Sequence, residues 1–76
     1  GFDRPEAHAI RKGDALSYAF FAERHDGAVE LRGLAPGAHY VVRDYVNGAE
    51  LGTVRGPAGR LPARFSQSLL LEARPQ

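Results

Sequence analysis

Three histidines, His8, His25 and His39, are the side chains best suited to hold a transition metal, because neutral imidazole is a common zinc ligand. Their spacing fits neither the paired ligands of structural zinc sites nor the histidine pairs of zinc hydrolases, and the chain has no cysteine to join them. No metal or other cofactor is expected. Asp26, Glu30, Asp44 and Glu50 offer carboxylates. Glycosidase chemistry would need two of them facing each other across a substrate cleft, and so small a filled sandwich has no room for one. Ser17, Ser66 and Ser68 lie outside any G-x-S-x-G nucleophile elbow. We expect no catalytic residue in this chain.

Asp44 differs from the other acids because it follows Tyr40 and Val42 on the inward face of an alternating segment. A carboxylate placed there must be hydrogen-bonded or paired. A structural latch to the N–H groups of the next turn, or to an arginine, is the expected role. Sugar binding would use exposed aromatics as stacking platforms, for which Tyr18, Phe21 and Tyr45 are the candidates, but the chain contains no tryptophan.

The elements that position these residues are short strands. Turn signals recur at Gly13-Asp14, Asp26-Gly27, Pro36-Gly37, Asn47-Gly48, Gly56-Pro57-Ala58-Gly59 and around Ser66, and no segment keeps a helical period. Between them the sequence predicts strands at residues 8–12, 16–22, 28–32, 40–46, 49–54, 61–65 and 68–73. The expected fold is an all-β, small antiparallel two-sheet β-sandwich of about seven short strands, one domain over residues 1–76. Asn47-Gly48 matches the two-residue type I′ hairpin turn, in which both central residues need positive φ, so Asn47 and Gly48 are assigned structural roles.

Alternation also sorts the faces. Leu16, Tyr18 and Phe20 share a side, as do Val29 and Leu31, Tyr40 and Val42, Leu61 and Phe65, and Leu69 and Leu71, and these should form the core. Phe21, Val41, Tyr45, Val46 and Leu70 fall on the outward side or at a turn. A contiguous outward apolar set marks an interaction surface, so Phe21, Val41, Tyr45 and Leu70 are expected to dock another domain.

Bulk composition sets limits. Seventy-six residues with no cysteine leave a thin stability margin and no disulfide staple. Ten basic and nine acidic side chains, interspersed, give a net charge of +1, too balanced for nucleic-acid binding. No apolar run approaches the roughly 20 residues that span a bilayer, so a soluble protein is expected, with the cytoplasm preferred. Position 1 is not methionine, which suggests a piece of a longer protein. The ends, residues 1–6 and 74–76, carry the usual risk of fraying. Nine arginines against one lysine, with abundant alanine and glycine, point to a GC-rich bacterial genome.

Several segments together resemble a known family. They are Pro5-Glu6-Ala7-His8, Leu16-Ser17-Tyr18-Ala19-Phe20-Phe21-Ala22, Val29-Glu30-Leu31-Arg32-Gly33-Leu34, Tyr40-Val41-Val42-Arg43-Asp44-Tyr45 with Asn47-Gly48 and Leu51-Gly52, and Ser68-Leu69-Leu70-Leu71. This pattern is similar to the C-terminal β-sandwich that follows the catalytic β/α-barrel in glycoside hydrolases, most nearly the alpha-galactosidase (melibiase-like) enzymes. The resemblance implies a non-catalytic accessory domain that packs on and stabilises the barrel of the same polypeptide. Carbohydrate is a second partner in some such domains. The rival readings are an independent carbohydrate-binding module and an immunoglobulin-like protein-interaction domain.

Overall fold

A computed structural model describes residues 5–76, so the expectation of fraying at residues 1–4 lies outside the described part. Five strands form one fully antiparallel sheet: β1 (Glu6–Lys12), β2 (Ala15–Arg32), β3 (His39–Asp44), β4 (Glu50–Arg55) and β5 (Ala58–Pro75), in the order β1-β2-β5-β3-β4. The all-β antiparallel class is as expected. The strand count is lower because two expected pairs of segments are each one 18-residue strand, β2 and β5.

Those long strands explain how one hydrogen-bonded sheet makes two packed layers. Eighteen extended residues would reach about 59 Å at ~3.3 Å per residue, whereas the longest dimension of the molecule is 31 Å. The strands must therefore bend. The register slips between Ala22/Gln67 and His25/Phe65, and Gln67 takes φ +76°. A bulge of this kind adds a residue to one strand, bends it and increases its twist. The expected breaks at Asp26-Gly27 and Ser66 thus lie near a bend, not at chain reversals. Beyond it the second halves of β2 and β5 pair with the other's first half, so the ladder never stops.

The fold-over brings the two ends of β2 together. Tyr18 Oη donates to the Arg32 carbonyl, and the Leu16 side chain lies 3.7 Å from where a Cβ on Gly33 would sit. Just beyond this closure, the Ala35 N–H donates to Tyr40 Oη at 2.8 Å. Between the layers are Leu16, Tyr18, Phe20, Val29, Leu31, Leu34, Tyr40, Val42, Val54, Leu61, Leu71 and Ala73, all buried. Phe65 and Leu69, expected fully inside, are only partly buried against this cluster because they flank the bend.

Short turns close the strands. Gly13, the first residue of the two-residue β1–β2 turn, has φ +64°. Pro36 and Gly37 occupy the centre of a turn closed by Ala38 N–H to Ala35 C=O at 3.1 Å, and Gly37 has φ +76°. Proline followed by a positive-φ glycine is the type II pattern.

Candidate functional site: the outer face and the Asp44 turn

The hairpin between β3 and β4 corrects an expectation. Asp44 N–H donates to the Ala49 carbonyl at 2.8 Å, and Arg43 pairs with Glu50, so the loop holds four residues, Tyr45, Val46, Asn47 and Gly48. Gly48 has φ +73°, but Asn47 is not in the left-handed region, so the two-residue type I′ turn does not form. β3 accordingly stops at Asp44 instead of Val46.

Side-chain hydrogen bonding to the local backbone explains this choice. Asp44 Oδ1 accepts the N–H groups of Val46 at 2.9 Å and Asn47 at 3.0 Å, while Oδ2 accepts Asn47 Nδ2 at 3.0 Å. The Asp44 carbonyl also accepts the Gly48 N–H at 2.8 Å. One acid therefore organises the entire loop. The Asn47 N–H, the largest cause, holds the Asp44 carboxyl below the usual carboxylate range, while partial burial pushes the other way. Among the described residues no arginine is hydrogen-bonded to Asp44; Arg43 instead donates to the Gly48 carbonyl at 3.5 Å.

This loop raises two apolar side chains into solvent, since Tyr45 is 65% exposed and Val46 70%. Tyr45 N–H donates to the Leu70 carbonyl at 2.8 Å, which joins the loop to the outer face of β5. Ala19 pairs with Leu70, and Phe21 pairs with Ser68, placing Phe21 diagonally beside Leu70 on the same face. Phe21 is 44% exposed, and its ring meets His8 edge-on at 6.0 Å. Phe21 on β2, Leu70 on β5, and Tyr45 and Val46 on the adjoining loop thus make one apolar band. Val41 is set apart: it pairs with Arg74, and the Arg43–Glu72 rung separates it from that band. Val46 belongs with the docking candidates more closely than Val41 does. Only the observed four-residue loop reveals this, since it carries Tyr45 and Val46 side by side.

The residues considered for chemistry do not converge. His8 lies 2.8 Å from Glu6, His25 donates to the Ala28 carbonyl at 3.1 Å, and His39 starts β3 opposite Arg55. Among the described residues no three histidine, cysteine, aspartate or glutamate side chains are grouped to hold a metal ion. Asp26 pairs with Arg64 at 3.3 Å and Glu30 with Arg32 at 2.6 Å, while Glu50 is exposed at the start of β4. Ser17 lies on β2, and Ser66 and Ser68 on β5.

Tyr18, weighed as a sugar platform, is only 4% exposed and cannot stack on a ligand. Its hydroxyl is pushed up to about 12, chiefly by burial and then by Tyr40. A cleft of about 400 Å³ does open beside it, between β1 and the second half of β2, with Ala7, Ala9, Glu30, Arg32 and Arg60 among its walls.

No family model matches the chain. The A type blood alpha-D-galactosamine galactosaminidase of Flavonifractor plautii is 32% identical over 80 residues, which covers 96% of this chain and 7% of that protein. Among solved structures, the Thermotoga maritima alpha-fucosidase superposes with a TM-score of 0.62 at 21% identity, over 92% of this chain and 18% of the fucosidase. A GH27 β-L-arabinopyranosidase from Geobacillus stearothermophilus gives a TM-score of 0.54 at 19% identity, over 96% of this chain and 20% of that one. The chain resembles a β-domain carried by glycoside hydrolases. It spans only 7% to 20% of the length of these three proteins. No helix of the described residues is long and apolar enough to cross a membrane.

Proposed function

We propose that residues 1–76 form one non-catalytic accessory domain at the C-terminus of a glycoside hydrolase, where it packs on and stabilises the catalytic β/α-barrel of the same polypeptide. One observation carries the reading: nearly all of this chain, but at most a fifth of each partner, is shared with three glycosidases of different specificity. A module common to enzymes that differ in substrate serves a need they share, and support of a larger domain is such a need. The outer apolar band supplies a surface suited to that contact.

The parent enzyme we propose is bacterial and alpha-galactosidase-like. Its support is the relative from Flavonifractor plautii, which is named for alpha-D-galactosamine. Deleting the domain from the full-length parent tests the role. The expected result is a lower temperature of inactivation, with kcat per folded molecule and KM unchanged at low temperature. A raised KM with unchanged thermal stability would overturn support in favour of substrate binding.

A further inference from the structure

We propose that the Tyr45–Val46 loop is the anchor through which this domain docks to the rest of its polypeptide, and that Asp44 is the positioning residue that holds this anchor in its docking shape. The inference rests on the docking role proposed above and assigns it to specific residues. Single exposed apolar residues are ordinary on any protein surface. Here two consecutive ones, 65% and 70% exposed, stand on a hairpin loop, where polar residues and glycine are favoured.

The loop is also rigidly built. The Asp44 carboxylate, the Asp44 carbonyl and the Leu70 carbonyl together accept all four backbone N–H groups of the loop, and the carboxylate also accepts the Asn47 side-chain amide. A loop already fixed in its bound shape loses little entropy on association, and aromatic residues in well-packed contacts are frequent hot spots. Leu70 and Phe21 extend the surface from this tip across the sheet. The occupant is the remainder of the same chain, because this domain spans 7% of the curated relative and about a fifth of the structural ones, so most of such a polypeptide lies outside it.

The test uses the full-length parent and native-state proteolysis at the segment joining the two domains, whose rate follows the undocked population when opening is fast relative to cleavage. Tyr45→Ala/Val46→Ser is expected to raise that rate about tenfold, the change for ~1.4 kcal/mol of lost contact. Ile10→Ser, on the exposed β1 edge, should leave it unchanged. Val46→Thr, which keeps shape and exchanges one methyl for a hydroxyl, should give a smaller rise with the domain's fold intact.

Asp44→Ala should raise the rate in the parent background but add nothing to Tyr45→Ala/Val46→Ser, whereas a purely structural Asp44 would act additively in both. Additive effects therefore overturn the positioning role. If Phe21→Ser and Leu70→Ser speed cleavage while the tip variants do not, the anchor assignment is overturned and docking stands. If no variant changes a rate already equal to that of an open linker, docking itself is overturned.

Discussion

Asp44 holds its loop through charge as well as geometry. Its carboxylate accepts three hydrogen bonds, so the folded-state pKa lies below the ordinary value of 3.8. A depressed carboxylate contributes stability that is fully present above the unfolded pKa and is lost as pH falls through the folded one. The stability difference between the wild type and Asp44→Asn should therefore be constant from pH 5 to 7 and shrink below about pH 4, as read by urea unfolding at each pH. A difference that grows on acidification would contradict the hydrogen-bond arrangement. Tyr40 makes a second residue-scale case. Tyr40→Phe removes the acceptor of the part-buried Ala35 N–H while keeping the ring, and should cost about 1–3 kcal/mol in denaturant unfolding. The sequence made Asp44 legible as a latch because an acid in an alternating apolar series needs partners. It did not disclose which partners, since the choice between loop amides and an arginine depends on the loop length actually formed.

At the scale of elements, the bend in β2 and β5 and the close approach of β5 to β4 at Gly59 and Val54 shape the molecule. Gln67 adopts φ +76° without being glycine, a conformation that costs an L-residue roughly 1–2 kcal/mol. Gln67→Gly should leave stability unchanged or raise it by up to about 1 kcal/mol, and Gln67→Val should lower it, both measured by chemical denaturation. Where the layers meet, a Cβ on Gly59 would lie 2.4 Å from Val54 Cβ. Gly59→Ala should therefore cost about 1–3 kcal/mol. Val54→Ala should not rescue it, because the closest atom survives in alanine. Periodicity showed which residues of these strands face inward: nine of the residues it named are buried, Phe65 and Leu69 are partly so, and Leu34, Val54 and Ala73 join the core without having been named. It could not distinguish a bulge from a turn at residues 23–27 and 66–67, because both use polar residues and both interrupt the alternation.

For the whole molecule, support of a larger catalytic domain predicts a division of effects: loss of this domain changes the lifetime of the parent enzyme, not its chemistry. Heating the parent with and without residues 1–76 should shift the inactivation temperature by several degrees, while initial rates at 25 °C stay equal. What the sequence determined by itself was local. The Pro36-Gly37 turn and the inward set from Leu16 to Leu71 depend on neighbours along the chain, which set φ and side. What only the tertiary structure decided was which distant segments share a surface. Phe21, Leu70, Tyr45 and Val46 come from three places in the sequence, and only the pairing of β2 with β5 and β5 with β3 sets them side by side. The same pairing places Arg43 and Glu72 between this band and Val41. Register across strands is fixed by the sum of all contacts in the sheet, and no single stretch of sequence contains that sum.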